Sequence, residues 1–246
     1  MTRLALIGNG KWGKNYQAEA KKLKDVEIKY VKTYDWKDLL EKKDIDGIII
    51  ATPDHTHTEI INAFPDTYLL VEKPFTMSLN EAVQIKNKKI MVGYIYLYNL
   101  YLQEQMKGLG QIRKINFVIH NTEKVEGTNP LWYLASHAIS FCLIHLDRPP
   151  QKEVKNNKGD LVLTFTYPLT KVTIDVGWNF KTKERLLEIE GDKKIKIDGS
   201  EKMKITPLQN QIRAFVNFIH GTAVPSNLRH AQEVTSVLSD IENSLQ

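Results

Sequence analysis

The first third of the chain sets short apolar blocks against amphipathic stretches. Leu4–Ile7, closed by Gly8, is a strand-length run, and Lys14–Lys24 after it has the mixed spacing of a helix. Val26–Val31 repeats the strand signal, and Trp36–Lys43 gives one or two helical turns. Gly47–Ile50 is an unbroken run of β-formers, of the kind buried on both faces of a parallel sheet. Thr56–Phe64 reads as a helix opened by a threonine, and Tyr68–Val71 as a fourth strand stopped by Pro74. Ser78 and Glu81 make a capping-box pattern at the head of another helix, and Ile90–Tyr94 is a fifth strand. Strands alternating with helices predict a parallel sheet with helices on both faces.

The pattern then changes. Gln111–His120 is a strand, and Leu134–Leu146 a helix rich in apolar residues. In Asp160–Tyr167 and Lys171–Trp178 every second residue is apolar: Leu161, Leu163, Phe165 and Tyr167, then Val172, Ile174, Val176 and Trp178. Arg185–Asp198 predicts a hairpin turning at Glu190–Lys194, and two helices close the chain. The first carries Ile212, Phe215, Val216 and Ile219 as one stripe. The change of style near Gly93–Tyr96 predicts an α/β unit over residues 1–94 and an α+β unit over 95–246, with a mostly antiparallel, open-faced sheet.

Composition adds exclusions. With 42% hydrophobic and 26% charged residues, the 246-residue chain is an ordinary globular sequence. No apolar run approaches the roughly 20 residues of a membrane helix, and the early glycine argues against a signal peptide. A cytoplasmic location and no membrane partner are expected. Cys142, the one cysteine, rules out an internal disulfide and offers no metal cluster. The net charge of +5 raises the question of nucleic acid, but most of the lysines alternate with acids, as on solvated faces. A nucleic-acid partner is therefore not expected; an anionic cofactor or substrate suits the same surplus.

Gly8, Gly10 and Gly13 form G-x-G-x-x-G between the first strand and the first helix. In this context the spacing allows a tight turn, close approach of a pyrophosphate, and close helix–strand packing, with helix N–H groups facing the phosphates. Asn9, Lys11 and Trp12 complete the candidate cofactor loop. The acidic residue usual some 20 positions later is replaced by Lys32 and Thr33. Lys32 either contacts a 2′-phosphate, which favours NADP slightly over NAD, or is a solvated lysine; Asp35 lies close enough to complicate the choice.

"ALIGNGKWGKN", "DGIIIATPDHTH" and "LLVEKPF", in this order, resemble the Gfo/Idh/MocA family: glucose–fructose oxidoreductase, inositol dehydrogenase and relatives. Later stretches, "MVGYIYLYN", "LGQIRKINF" and "GWNFKTKERLLEIEGDKKIKID", extend the resemblance over nearly the whole chain, the last being similar to members that act on nucleotide-linked amino sugars. The resemblance implies an N-terminal Rossmann domain binding NAD or NADP, a C-terminal α+β domain that pairs subunits through its sheet, and hydride transfer between nicotinamide and a sugar hydroxyl or ketone. It places Lys73 at the reacting hydroxyl, Glu72 near the nicotinamide ribose, Pro74 after a peptide bond that is often cis, and Thr52, Pro53, His55 and His57 beside the cofactor. It puts Asn99 near the substrate.

The chemistry accounts for these types. Alcohol oxidation releases a hydride, which nicotinamide takes, and a proton, which needs a protein base. A lysine titrates near 10.4 in water, and burial beside a cationic ring lowers that value. The competing role for Lys73, an ion pair with Glu72, is weakened because neighbours on a strand face opposite ways. The family's D-x-x-x-H helix pattern falls on Tyr133 and His137. Residues four apart share a helical face, but a phenol is a different tool from a carboxylate. His120 and His145 are expected to be structural. The connection between Val31 and Trp36 is shorter than the family's, as are the loops before Trp132, so a catalytically inactive dinucleotide-binding sensor or partner subunit is the alternative reading.

Overall fold

The structure, a computed structural model, describes residues 1–125, 127–157, 160–199, 201 and 203–245. The chain divides into two compact units, one of residues 1–98 with 205–235 and the other of residues 99–204 with 236–246.

Unit 1 is built on a parallel sheet in the order β2-β1-β3-β4-β5. Its strands are β1 (Thr2–Ile7), β2 (Val26–Lys32), β3 (Gly47–Ile50), β4 (Tyr68–Val71) and β5 (Ile90–Val92). Leu4–Ile7, Ile48–Ile50, Leu69–Val71 and Ile90–Val92 have no measurable exposure, which is why the sequence shows them as continuous apolar runs. Helix α1 (Lys11–Ala20) connects β1 to β2, α2 (His57–Ala63) connects β3 to β4, and α3 (Leu79–Gln84) connects β4 to β5. Ser78 caps α3 by accepting from the Glu81 N–H at 3.2 Å, while the Glu81 carboxylate accepts from the N–H of Met77 at 3.0 Å. Between β2 and β3 the only helical element is a 3-10 turn over Trp36–Glu41.

The chain returns to this unit near its end. Helix α6 (Pro207–Ile219) packs on α1, with Leu208, Gln211, Ile212, Phe215 and Val216 buried. Thr206 caps it, accepting from the Gln209 N–H at 3.1 Å.

Unit 2 holds a six-stranded sheet in the order β11-β10-β6-β9-β8-β7. The strands are β6 (Lys114–His120), β7 (Gln151–Asn157), β8 (Asp160–Thr166), β9 (Lys171–Gly177), β10 (Glu184–Glu190) and β11 (Lys194–Asp198). All pairings are antiparallel except β6 with β9. One face, with Phe117, Leu163, Phe165, Ile174 and Leu187, is fully buried. Phe117 meets Phe141 of α5 (Ser136–Leu146) edge-on at 5.6 Å. The other face carries half-buried Asn116, Val118, Thr164, Thr173 and Asp175. Short α4 (Leu100–Met106) precedes the sheet, and α7 (Leu228–Asn243) runs through the unit boundary. Among the described residues no helix is long and apolar enough to cross a membrane.

Candidate active site

The residues singled out in unit 1 lie along one edge of its sheet. Backbone bonds fix this row: Gly8 N–H donates to Lys32 O at 2.8 Å, Ala51 N–H to Ile7 O at 2.8 Å, Glu72 N–H to Ile50 O at 2.9 Å, and Gly93 N–H to Val71 O at 2.8 Å. These are the first residues beyond the carboxyl ends of the strands. The order turns about β1 and β3, the switch point where open α/β sheets bind ligands.

The glycine turn has the form a pyrophosphate needs. Gly8 has φ +103°, and a Cβ there would sit 2.2 Å from the Ala51 carbonyl oxygen. A Cβ on Gly13 would lie 2.0 Å from the Gly8 carbonyl oxygen, so α1 can approach β1 only with glycine there. A Cβ on Gly10, by contrast, would meet no atom within 4 Å. That open side lies at the N-terminus of α1, whose N-cap is Gly10 and whose first turn has no acidic residue. The space and the partial positive charge together fit a dinucleotide phosphate. Lys11 and Asn9 are exposed and Trp12 is half-buried; the Asn9 side-chain oxygen accepts from Gln17 at 3.0 Å.

The loop after β3 is tied to the Glu-Lys-Pro turn by His57. This buried ring places Nδ1 3.0 Å from Pro74 O and Nε2 3.1 Å from Thr52 O, and burial lowers its pKa. The Thr56 hydroxyl donates to Pro53 O and shares a hydrogen bond with the Thr52 hydroxyl, both at 2.7 Å. His55 is exposed, its ring 3.8 Å from Asp54. The Lys73–Pro74 peptide is cis, as the resemblance implied.

Glu72 and Lys73 are 6% and 8% exposed, unusually low for charged residues. Behind Glu72 lies a polar chain that sequence reasoning missed. The Tyr16 hydroxyl donates to Glu72 Oε1 at 2.6 Å, and Gln211 Nε2 donates to the Tyr16 oxygen at 2.7 Å. Burial raises the Glu72 pKa, and the Tyr16 bond and Lys73 oppose the rise. Burial, with Glu72 next, pushes the Tyr16 phenol well up. Both residues had visible signals: Tyr16 follows Gly13 on the inward face of α1, and Gln211 interrupts the apolar stripe of α6.

Lys32 and Thr33 stand at the tip of β2. Lys32 Nζ lies 2.9 Å from Asp35 and 2.8 Å from Asp38, and the Thr33 N–H donates to Asp35 at 3.1 Å.

Residues 12–97 match the model of the Gfo/Idh/MocA oxidoreductase family, NAD-binding Rossmann fold. The resemblance read from the motifs is borne out, and a nicotinamide dinucleotide is the cofactor of that fold. No curated protein matches the chain. A candidate oxidoreductase from Magnetospirillum magnetotacticum aligns over 96% of this chain and 98% of its own, with 24% identity and a TM-score of 0.84. A UDP-N-acetylglucosamine 3-dehydrogenase from Acidithiobacillus ferrooxidans aligns over 97% and 96%, with 16% identity and a TM-score of 0.80. A myo-inositol dehydrogenase from Lactobacillus casei, solved with NAD(H) and myo-inositol, aligns over 99% and 95%, with 16% identity and a TM-score of 0.78. At these identities the structures show a shared fold that extends over both units.

In unit 2 the helix of the D-x-x-x-H pattern is not uniform. Tyr133 falls in a π-helical turn, Leu131–Ala135, and His137 in α5, so the simple four-residue spacing of an α-helix does not hold between them. They are nonetheless the only half-exposed positions between Leu131 and Cys142. The Tyr133 ring lies 5.6 Å from that of Trp178, which is buried. Asn99 is buried, and its side-chain oxygen caps α4, accepting from the Leu102 N–H at 3.0 Å. His120 stacks on Phe180 at 3.6 Å, and its Nε2 lies 3.1 Å from Asp175. Among the described residues no cluster of three or more His, Cys, Asp or Glu could hold a metal.

Proposed function

We propose that this chain is an NAD(P)-dependent oxidoreductase acting on the CH–OH group of a sugar or its ketone, with a nucleotide-linked or amino sugar as the preferred class. The observation that carries the reading is the single row of strand ends, which sets buried Glu72 and Lys73 on the same sheet edge as the glycine turn. The bound nicotinamide supplies the hydride acceptor or donor. Gly8–Gly13 hold the phosphates, and Thr52, Pro53 and His57 wall the cofactor's side of the edge. Lys73 acts as the base that takes the proton from the substrate hydroxyl as the C–H hydride passes to the nicotinamide and the C=O bond forms; in reduction it returns that proton. Glu72, kept in place by Tyr16, fixes the turn that presents Lys73. On unit 2 the reading keeps half-exposed His137 and Tyr133 as candidate polar-group binders. The open face of the six-stranded sheet is proposed to join copies of the chain, and a monomer in sedimentation equilibrium would remove that part.

The test is a panel of nucleotide sugars, amino sugars and inositols, with nicotinamide absorbance as readout. Lys73→Ala should lower turnover about 10²–10⁴-fold while cofactor still binds. The brief β2–β3 connection and a phenol in the carboxylate's place favour one rival, a catalytically inactive dinucleotide-binding sensor or partner subunit. Cofactor binding without turnover across the panel would establish that rival instead.

A further inference from the structure

The tip of β2 bears on which dinucleotide fits. Lys32 pairs with Ile7 across β1 and β2, and its carbonyl receives the Gly8 N–H, so it stands beside the first glycine of the turn. A basic residue in this neighbourhood ordinarily recognises a 2′-phosphate, and an acidic one the ribose 2′-hydroxyl. Here the lysine is already engaged, by Asp35 at 2.9 Å and Asp38 at 2.8 Å. Its side chain is 18% exposed, whereas those of Asp35 and Asp38 are 58% and 62% exposed. The carboxylates thus face solvent and shelter the ammonium.

We propose that this chain selects NAD over NADP, because Asp35 and Asp38 occupy Lys32 and leave the tip of β2 with a net negative charge. The inference rests on the dinucleotide site proposed above. One ammonium against two carboxylates leaves a net charge of −1 at the tip (+1 − 2 = −1). The bonds from Asp38 and then Asp35 raise the Lys32 pKa, and the Lys32 bond lowers that of Asp35, which favours the charged forms of Lys32 and Asp35. A phosphomonoester carries about −1.5 to −2 at pH 7 and would have to displace two carboxylates to reach the cation. A ribose diol is neutral and donates, so exposed carboxylate oxygens suit it. The next cations along the connection, Lys37 and Lys42, are engaged elsewhere, Lys42 over the Tyr30 ring at 5.5 Å. Lys37 lies 3.8 Å from Glu59 and over the Trp36 ring, and no arginine occurs between Tyr30 and Leu40.

Calorimetric titration of the full chain with NAD+ and with NADP+, without substrate, tests this. The expected result is NAD+ binding at least about tenfold tighter than NADP+. The double variant Asp35→Asn/Asp38→Asn, both at exposed positions, should gain about tenfold or more for NADP+. Adding Lys32→Ala should abolish the gain. Wild-type protein that binds NADP+ as tightly as NAD+, or a double variant with an unchanged ratio, overturns the inference and leaves the dinucleotide site standing. Failure of both cofactors to bind overturns the site itself.

Discussion

Tyr16→Phe isolates the polar chain behind Glu72, because it removes one oxygen and keeps the ring. Two bonds disappear together: the donation to Glu72 at 2.6 Å and the donation from Gln211 at 2.7 Å. A hydrogen bond to a charged acceptor contributes about 1.5–3 kcal/mol, and a buried donor left alone costs about 1–3 kcal/mol. Gln211 has nowhere to turn, since its Oε1 already lacks a described partner and the residue is fully buried. The expected loss is therefore about 3 kcal/mol, and for a chain of this size roughly 6–12 °C in the unfolding midpoint. The loss should depend on pH. Burial raises the Glu72 pKa while the Tyr16 bond lowers it, so the variant's carboxyl rises further. A carboxyl with a raised folded-state pKa favours folding fully below its unfolded value and loses that contribution as pH rises through the folded value. The penalty should thus be larger at pH 8 than at about pH 4, near the unfolded value for glutamate. Urea unfolding followed by circular dichroism at both pH values measures it. A loss under about 0.5 kcal/mol at pH 8, or an equal penalty at both, would refute the role given to this bond.

Gly13→Ala should destabilise the protein by about 2–3 kcal/mol and abolish the midpoint rise that NAD+ gives the wild type, since the added Cβ would force α1 off β1. An unchanged response to NAD+ in thermal unfolding would contradict that packing argument. His230 offers a separate acid test: burial depresses its pKa to about 4, with Glu233 opposing. The unfolded chain takes up the proton first, near 6.5, so stability should fall by on the order of 2–3 kcal/mol between there and pH 4. His230→Gln should flatten that decline, and parallel urea midpoints for the two proteins over this range would count against it.

The parallel sheet was legible because its strands are buried on both faces and end at Gly8 and Pro74. The alternation of β8 and β9 was equally plain. Strand β7 was not: Gln151–Asn157 has one apolar residue, Val154, and is a strand only because β8 offers it a partner along its whole length. Helix α4 hid inside a tyrosine-rich stretch. The π turn at Leu131–Ala135 escaped because no side-chain period announces it, and it altered the simple relation expected of Tyr133 and His137. At the candidate site, motif residues were found by spacing, whereas the bond from Gln211 to Tyr16 spans 195 positions and no local pattern reports it. Lys32 was seen, but not that Asp38 would share it.

The division of unit 1 between residues 1–98 and 205–235 has a consequence for how the protein is made. A ribosome releases the parallel sheet long before it releases α6, so Tyr16 and Glu72 wait, wet and unsealed, while all of the second sheet is synthesised. A transcript cut between codons 98 and 211 yields a nucleotide half that has its glycine and Glu-Lys-Pro turns yet lacks its keystone, and such a product should reach proteases before it reaches substrate.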